Sequence, residues 1–102
     1  PEQRGPGLEI PTLAINSGAR STNQRLVRLD IAAPAGANQF RASESAEFAE
    51  AEWRPLEASP RFELSPGPGR KRVYVQVRRL REIEGASLET RSKTASDDIL
   101  LD

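Results

Sequence analysis

Val73, Tyr74, Val75, Gln76, Val77 and Arg78 form the stretch whose reading decides the fold. The three valines share one parity, and Tyr74, Gln76 and Arg78 take the other, which is the two-residue period of a strand with one buried face. A helix would scatter the same valines around its circumference. β-Branched residues are stiff at χ1 and pack well on a pleated surface, so this run reads as a central strand. Just upstream, Pro66, Gly67, Pro68 and Gly69 give a strong turn signal, and before them Phe62 and Leu64 flank Glu63 in a short strand.

Further out, the same sorting recurs. Val27, Leu29 and Ile31 share a face while Arg28 and Asp30 take the other, and Pro34 and Gly36 close the segment. Residues 39–43 place Phe40 and Ala42 inward. Residues 12–15 form a first, edge-like strand that ends in the turn residues Asn16, Ser17 and Gly18. At the other end Ile99 and Leu101 share one face of a closing strand. Residues 44–52 are ambiguous, because Ala and Glu favour helix, and are read as a loop or a short helix. Pro55 withholds a backbone donor and marks an edge strand or crossover. Short strands separated by turns predict an all-β fold, an immunoglobulin-like antiparallel β-sandwich of about seven strands. A small barrel is the competing architecture. The domain is placed at residues 12–102, and residues 1–11, with two prolines and two glycines, read as a linker.

Composition narrows the chemistry. The chain has 102 residues, enough for one core, and 15 basic residues balance 15 acidic ones, so no global field draws it to nucleic acid or an anionic membrane. His and Cys are absent, which removes imidazole acid-base catalysis, thiol chemistry and the usual zinc or haem ligands. Ser and Thr lack a base, and no phosphate-cradling loop leads a strand into a helix. The expectation is a protein that is not an enzyme, holds no cofactor or metal, binds no nucleic acid and inserts into no membrane. A chain opening at Pro1 without Met, with no basic-then-apolar leader, is read as a mature form or an excised domain.

Individual residues divide between functional and structural readings. Glu44, Glu47, Glu50 and Glu52 form an acidic loop rather than a converging cation cage, and Asp97, Asp98 and Asp102 read as ordinary strand-end acids. The cations Arg70, Lys71, Arg72, Arg78, Arg79 and Arg81 crowd the strongest strand, but only Tyr74 lies among them, so soluble strand ends are favoured over nucleic-acid binding. Trp53, the single Trp, is expected in the core, with sugar stacking as the alternative. Tyr74 is expected to bond its hydroxyl to an upstream carbonyl, as in a tyrosine corner. The most individual segment is 79–96, a polar stretch with a turn at Gly85. It is read as a long loop forming an extended ribbon, whose Arg79, Leu80, Arg81, Ile83 and Leu88 face a protein partner.

Taken together, these residues resemble a bacterial immunoglobulin-like repeat related to fibronectin type III. The resemblance spans residues 13–102 and is carried by Ile15, Asn16, Gly18 and Ala19 in the first turn and by Arg25, Val27, Leu29, Ile31 and Ala33 in the next strand. It continues through residues 39–43, through Trp53 and Pro55, and through Leu64, Gly67, Gly69, Lys71 and residues 73–78, and ends on Asp97, Ile99, Leu101 and Asp102. Pro68 replaces the acidic residue usual between the two glycines, residues 44–46 depart at a loop tip, and the last loop is longer than the family's. The resemblance implies an exported module, extracellular, cell-surface or periplasmic. It would serve as a spacer, an adhesion module or a protein-docking module, with a protein or neighbouring domains as partner and a glycan as a further option. A carbohydrate-binding module or an accessory domain of a secreted hydrolase is the alternative it leaves open.

Overall fold

The computed structural model describes residues 10–49 and 51–102. The linker expected over 1–11 lies outside these residues apart from Ile10 and Pro11, as does Glu50. In chain order the strands are β1 (Thr12–Ile15), β2 (Ser21–Thr22), β3 (Leu26–Ala32), β4 (Gln39–Ser43), β5 (Arg54–Pro55), β6 (Arg61–Glu63), β7 (Gly69–Ile83), β8 (Ala86–Arg91) and β9 (Ala95–Leu101). They form one sheet of order β1-β3-β6 and a second of order β2-β9-β7-β4-β5, with β8 also pairing β7.

The fold is all-β, with no α-helix among the described residues. Nine strands among the described residues replace the expected seven or so, and the pairing is mixed, because β2 runs parallel to β9 while the other pairs are antiparallel. The reason is physical. β2 and β5 are two residues long, below the length at which any period shows. β2 is fixed by hydrogen bonds from Leu100 N to Arg20 O (3.0 Å) and from Asp102 N to Thr22 O (2.9 Å) rather than by its own side chains.

One core fills the space between the sheets. Val27, Leu29 and Ile31 of β3 meet Phe40, Val73, Val75, Val77 and Ile99 of the second sheet, with Ile15 and Leu64 beside them. The period-two reading of β3, β7 and β9 therefore holds side chain by side chain. Residues 44–49 form turns instead of a helix. Ser43 Oγ accepts the Ser45 N–H (2.9 Å), and the Phe48 N–H donates to Ser45 O (2.9 Å). Local bonds of this kind compete with helix formation. Phe48, moreover, sits at φ +58, where a helix cannot continue.

The β1–β2 connection takes three successive left-handed residues, Asn16, Ser17 and Gly18 (φ 50, 59 and 88). For Ser17 this conformation is unfavourable by roughly 1–2 kcal/mol, and neighbouring groups hold it. Asn16 Oδ1 accepts the Arg28 N–H (2.8 Å), and Asp30 accepts from Ser17 N (2.8 Å), Arg28 Nε (2.8 Å) and Ser59 Oγ (3.0 Å). The Arg28 bond first, then those from Ser59 and Ser17, lower the Asp30 carboxyl to about 2. A carboxyl depressed in the folded state adds stability above its unfolded value and loses it as pH falls toward the folded one. In urea titrations across pH, the midpoint is therefore expected to fall between about pH 4 and pH 2. Asp30→Asn is expected to make that fall shallower. An unchanged acid limb in the variant would show that the Asp30 cluster carries no linkage.

Candidate functional site

The segment 79–96 is strand for most of its length, where a long loop was expected. β7 continues to Ile83, turns through Glu84 and Gly85, and returns as β8, with six pairs from Arg78↔Arg91 to Ile83↔Ala86. Both turn residues have positive φ (52 and 83), the geometry of a type I′ turn whose twist matches the strands it joins. Five residues of rise carry the tip about 17 Å beyond Arg78. The ribbon form expected for this segment is thus present.

Its root is pinned on both edges. On one side Asn38 acts as an extra strand residue: its Oδ1 accepts the Leu80 N–H (3.0 Å), its Nδ2 donates to Leu80 O (2.9 Å), and its own N–H donates to Arg78 O (2.9 Å). On the other side the register changes. Arg78 pairs with Arg91, but Val75 pairs with Ala95, so two residues of β7 face three of the opposite chain, which is a β-bulge. Ser92, buried at this bulge, donates its N–H to Val77 O (2.9 Å), and its Oγ accepts the Val77 N–H (3.1 Å) and donates to Lys93 O (2.8 Å). A side-chain hydroxyl thus replaces the missing ladder carbonyl.

Alternation then sets the ribbon's faces. Arg79, Arg81 and Ile83 of β7 lie on the same face as Thr90, Leu88 and Ala86, their partners on β8. Four of the five expected contact residues, Arg79, Arg81, Ile83 and Leu88, are therefore brought together, and Leu80 falls on the opposite face. Ile83 is 44% exposed and Leu88 53%. The Arg79 side chain runs along Gly36, where an added Cβ would sit 3.4 Å from it.

The opposite face at the root holds a cluster that sequence reasoning missed. Trp53 is half-buried on the outer face of the second sheet, not in the core where it was expected. The guanidiniums of Arg78, Arg41 and Arg91 lie 4.3, 4.7 and 5.6 Å from its ring centroid, and Arg41 also lies 4.5 Å from that of Phe48. The β4–β7–β8 register puts these arginines together. Glu89 takes bonds from Arg78 Nη1 (2.5 Å) and Arg91 Nε (2.9 Å), which lower its carboxyl from the ordinary value. Arg41 donates to the neutral Gln76 Oε1 from Nε (3.1 Å) and Nη2 (2.8 Å). Burial, then the charges of Arg91 and Arg78, push Arg41 below the usual guanidinium range, with Glu89 opposing them. The only sequence signal was the crowd of cations near Arg78, because Arg41 and Arg91 are remote from Trp53 along the chain.

The remaining candidates are dispersed. Glu44 holds the Ser65 N–H (2.6 Å) and hydroxyl (2.9 Å), Asp97 accepts the Ile15 N–H (3.0 Å), and Asp98 pairs with Arg72 (3.4 Å) and Arg70 (3.6 Å). Among the described residues no group of acids is placed to hold a metal ion. Tyr74 was expected to reach a carbonyl, but its neighbour is the Arg72 guanidinium, and no hydrogen bond from its hydroxyl to a carbonyl forms among the described residues. From the described part of the segment 44–52, Phe48 packs beneath the Arg41 guanidinium. No family model, curated protein or solved structure matches this chain.

Proposed function

We propose that the chain is a non-catalytic, immunoglobulin-like module of an exported bacterial protein that docks onto another protein through its β7–β8 ribbon. The observation that carries the reading is the two-strand arm with Arg79, Arg81, Ile83 and Leu88 on one face, two of them large, apolar and exposed. Exposed apolar side chains rimmed by cations are the composition of a contact surface, and a tip held by one turn and six pairs presents them at little ordering cost. Export and the immunoglobulin-like assignment rest on the sequence resemblance and on the two sheets enclosing one core. Sugar stacking on Trp53 is the weaker reading, because a sugar would have to displace guanidiniums already on the ring.

Photo-crosslinking in the protein's native cells tests this. A photoreactive residue at Leu88 is expected to trap one protein species, and the same residue at Leu26, exposed on the other sheet, is not. Replacing residues 82–87 with Asn-Gly keeps the register, because Arg81↔Leu88 then flanks the turn as Ile83↔Ala86 does now. With the probe moved to Arg79, this shortened chain is expected to fold and lose the adduct. Equal trapping at Leu26, or none at Leu88, would overturn the docking reading.

A further inference from the structure

We propose that the Arg41, Arg78 and Arg91 guanidiniums gathered on Trp53 form a carboxylate-binding site for an acidic segment of a partner polypeptide. The site lies on the face opposite the ribbon's apolar contact residues, and the inference does not depend on that docking surface.

The charge balance is the first argument. Three guanidiniums converge on one indole, and Glu89 is the carboxylate among the described residues that reaches them, through Arg78 and Arg91. Arg41 lies between Phe48 and Trp53 and donates to a neutral amide. Cations held together in partly desolvated surroundings repel one another, and an incoming anion relieves that repulsion. Burial first, and then the neighbouring charge of Arg91, lower the Arg41 guanidinium from its usual range while it stays charged.

The second argument is which anion fits. The chain's own Glu89 shows that a carboxylate seats between two of these guanidiniums at 2.5 and 2.9 Å. Guanidiniums are planar forks matched to carboxylates, and aromatic stacking fixes their orientation before the ligand arrives. The donors are also spread in a way that suits an extended chain. Arg78 and Arg91 are direct cross-strand partners, and Arg41 is diagonal to Arg78 across β4 and β7, so the site spans about 10 Å over three strands. That width takes two or three residues of extended acidic peptide. The surface is a sheet face and not an enclosed pocket, which favours a polymer over a small free acid.

Trp53 is the only Trp, so its emission reports the site directly. Titrating the folded chain with hexaglutamate in low salt is expected to give a saturable change in that emission, weakened as sodium chloride is raised. Arg41→Gln is expected to weaken binding about tenfold, the worth of one charge-assisted hydrogen bond. Arg20→Gln removes the same charge at the opposite edge of the sheet and is expected to leave binding within about twofold of the parent. Arg41→Lys keeps the charge but loses the stacked fork, and is expected to bind nearly as weakly as Arg41→Gln. Should the Arg41 variants melt early, Arg91→Gln, at a more exposed position, is expected to show the same loss. The proposal is overturned if hexaglutamate produces no saturable change, if Arg20→Gln weakens binding as much as Arg41→Gln, or if a sulfated hexasaccharide binds more tightly than hexaglutamate at equal ionic strength.

Discussion

Ile99→Ala is expected to destabilise the fold by about 2–5 kcal/mol in urea titration, whereas Leu100→Ala, its immediate neighbour, is expected to stay within about 0.5 kcal/mol. The contrast follows from parity. Ile99 is fully buried against β1 and β7, and truncating it removes several methylenes and leaves a cavity that the close-packed sheets cannot fill. Leu100 points outward from the same strand and is 39% exposed. For a domain of this size the first loss is a large fraction of a total near 5–15 kcal/mol. Equal effects at the two positions would mean that β9 does not present the face described.

Ser92→Ala is expected to cost about 1–3 kcal/mol and to speed amide exchange at Val77 more than at Val75. Ser92 is buried, and its hydroxyl is the acceptor for the Val77 N–H, so alanine strands a backbone donor away from water. Gln76 Nε2 also donates to Ser92 O (2.8 Å), and Gln76 holds Arg41, so the bulge and the arginine cluster share one network. Ser92→Thr retains the hydroxyl and is expected to recover most of the loss. A cost below about 0.5 kcal/mol for alanine would show that water or a register shift replaces the bond.

The bulge also explains which parts of the structure were legible. Val27, Leu29 and Ile31, and Val73, Val75 and Val77, revealed their faces because one side of each strand meets the core and the other meets solvent. Beyond Arg79 the ribbon has no core to sort its residues, so both faces carry charge and no period appears. The extra residue at the bulge then inverts parity between β8 and β9. Ile99 and Leu101 face inward on odd numbers, but Glu89 and Arg91 face outward on odd numbers. No single alternation can fit both halves. The sequence favours a core position for Trp53 because it is the single Trp in a chain short of aromatics, yet its neighbours come from β4, β7 and β8, and pairing decided by backbone register is invisible in a local window. Gly85 marked the tip correctly because a type I′ turn needs its positive φ.

The unbroken run of β7 from Gly69 to Ile83 has a mechanical consequence. Tension applied at the ribbon tip along its axis passes into a strand bordered by β9 over seven pairs and by β4 over five. Those cross-strand hydrogen bonds lie across the direction of pull, so they are loaded together in shear and do not open one after another. A load applied at the tip therefore draws on the cohesion of the whole sheet, and the arm transmits force into the body of the domain without peeling away from it.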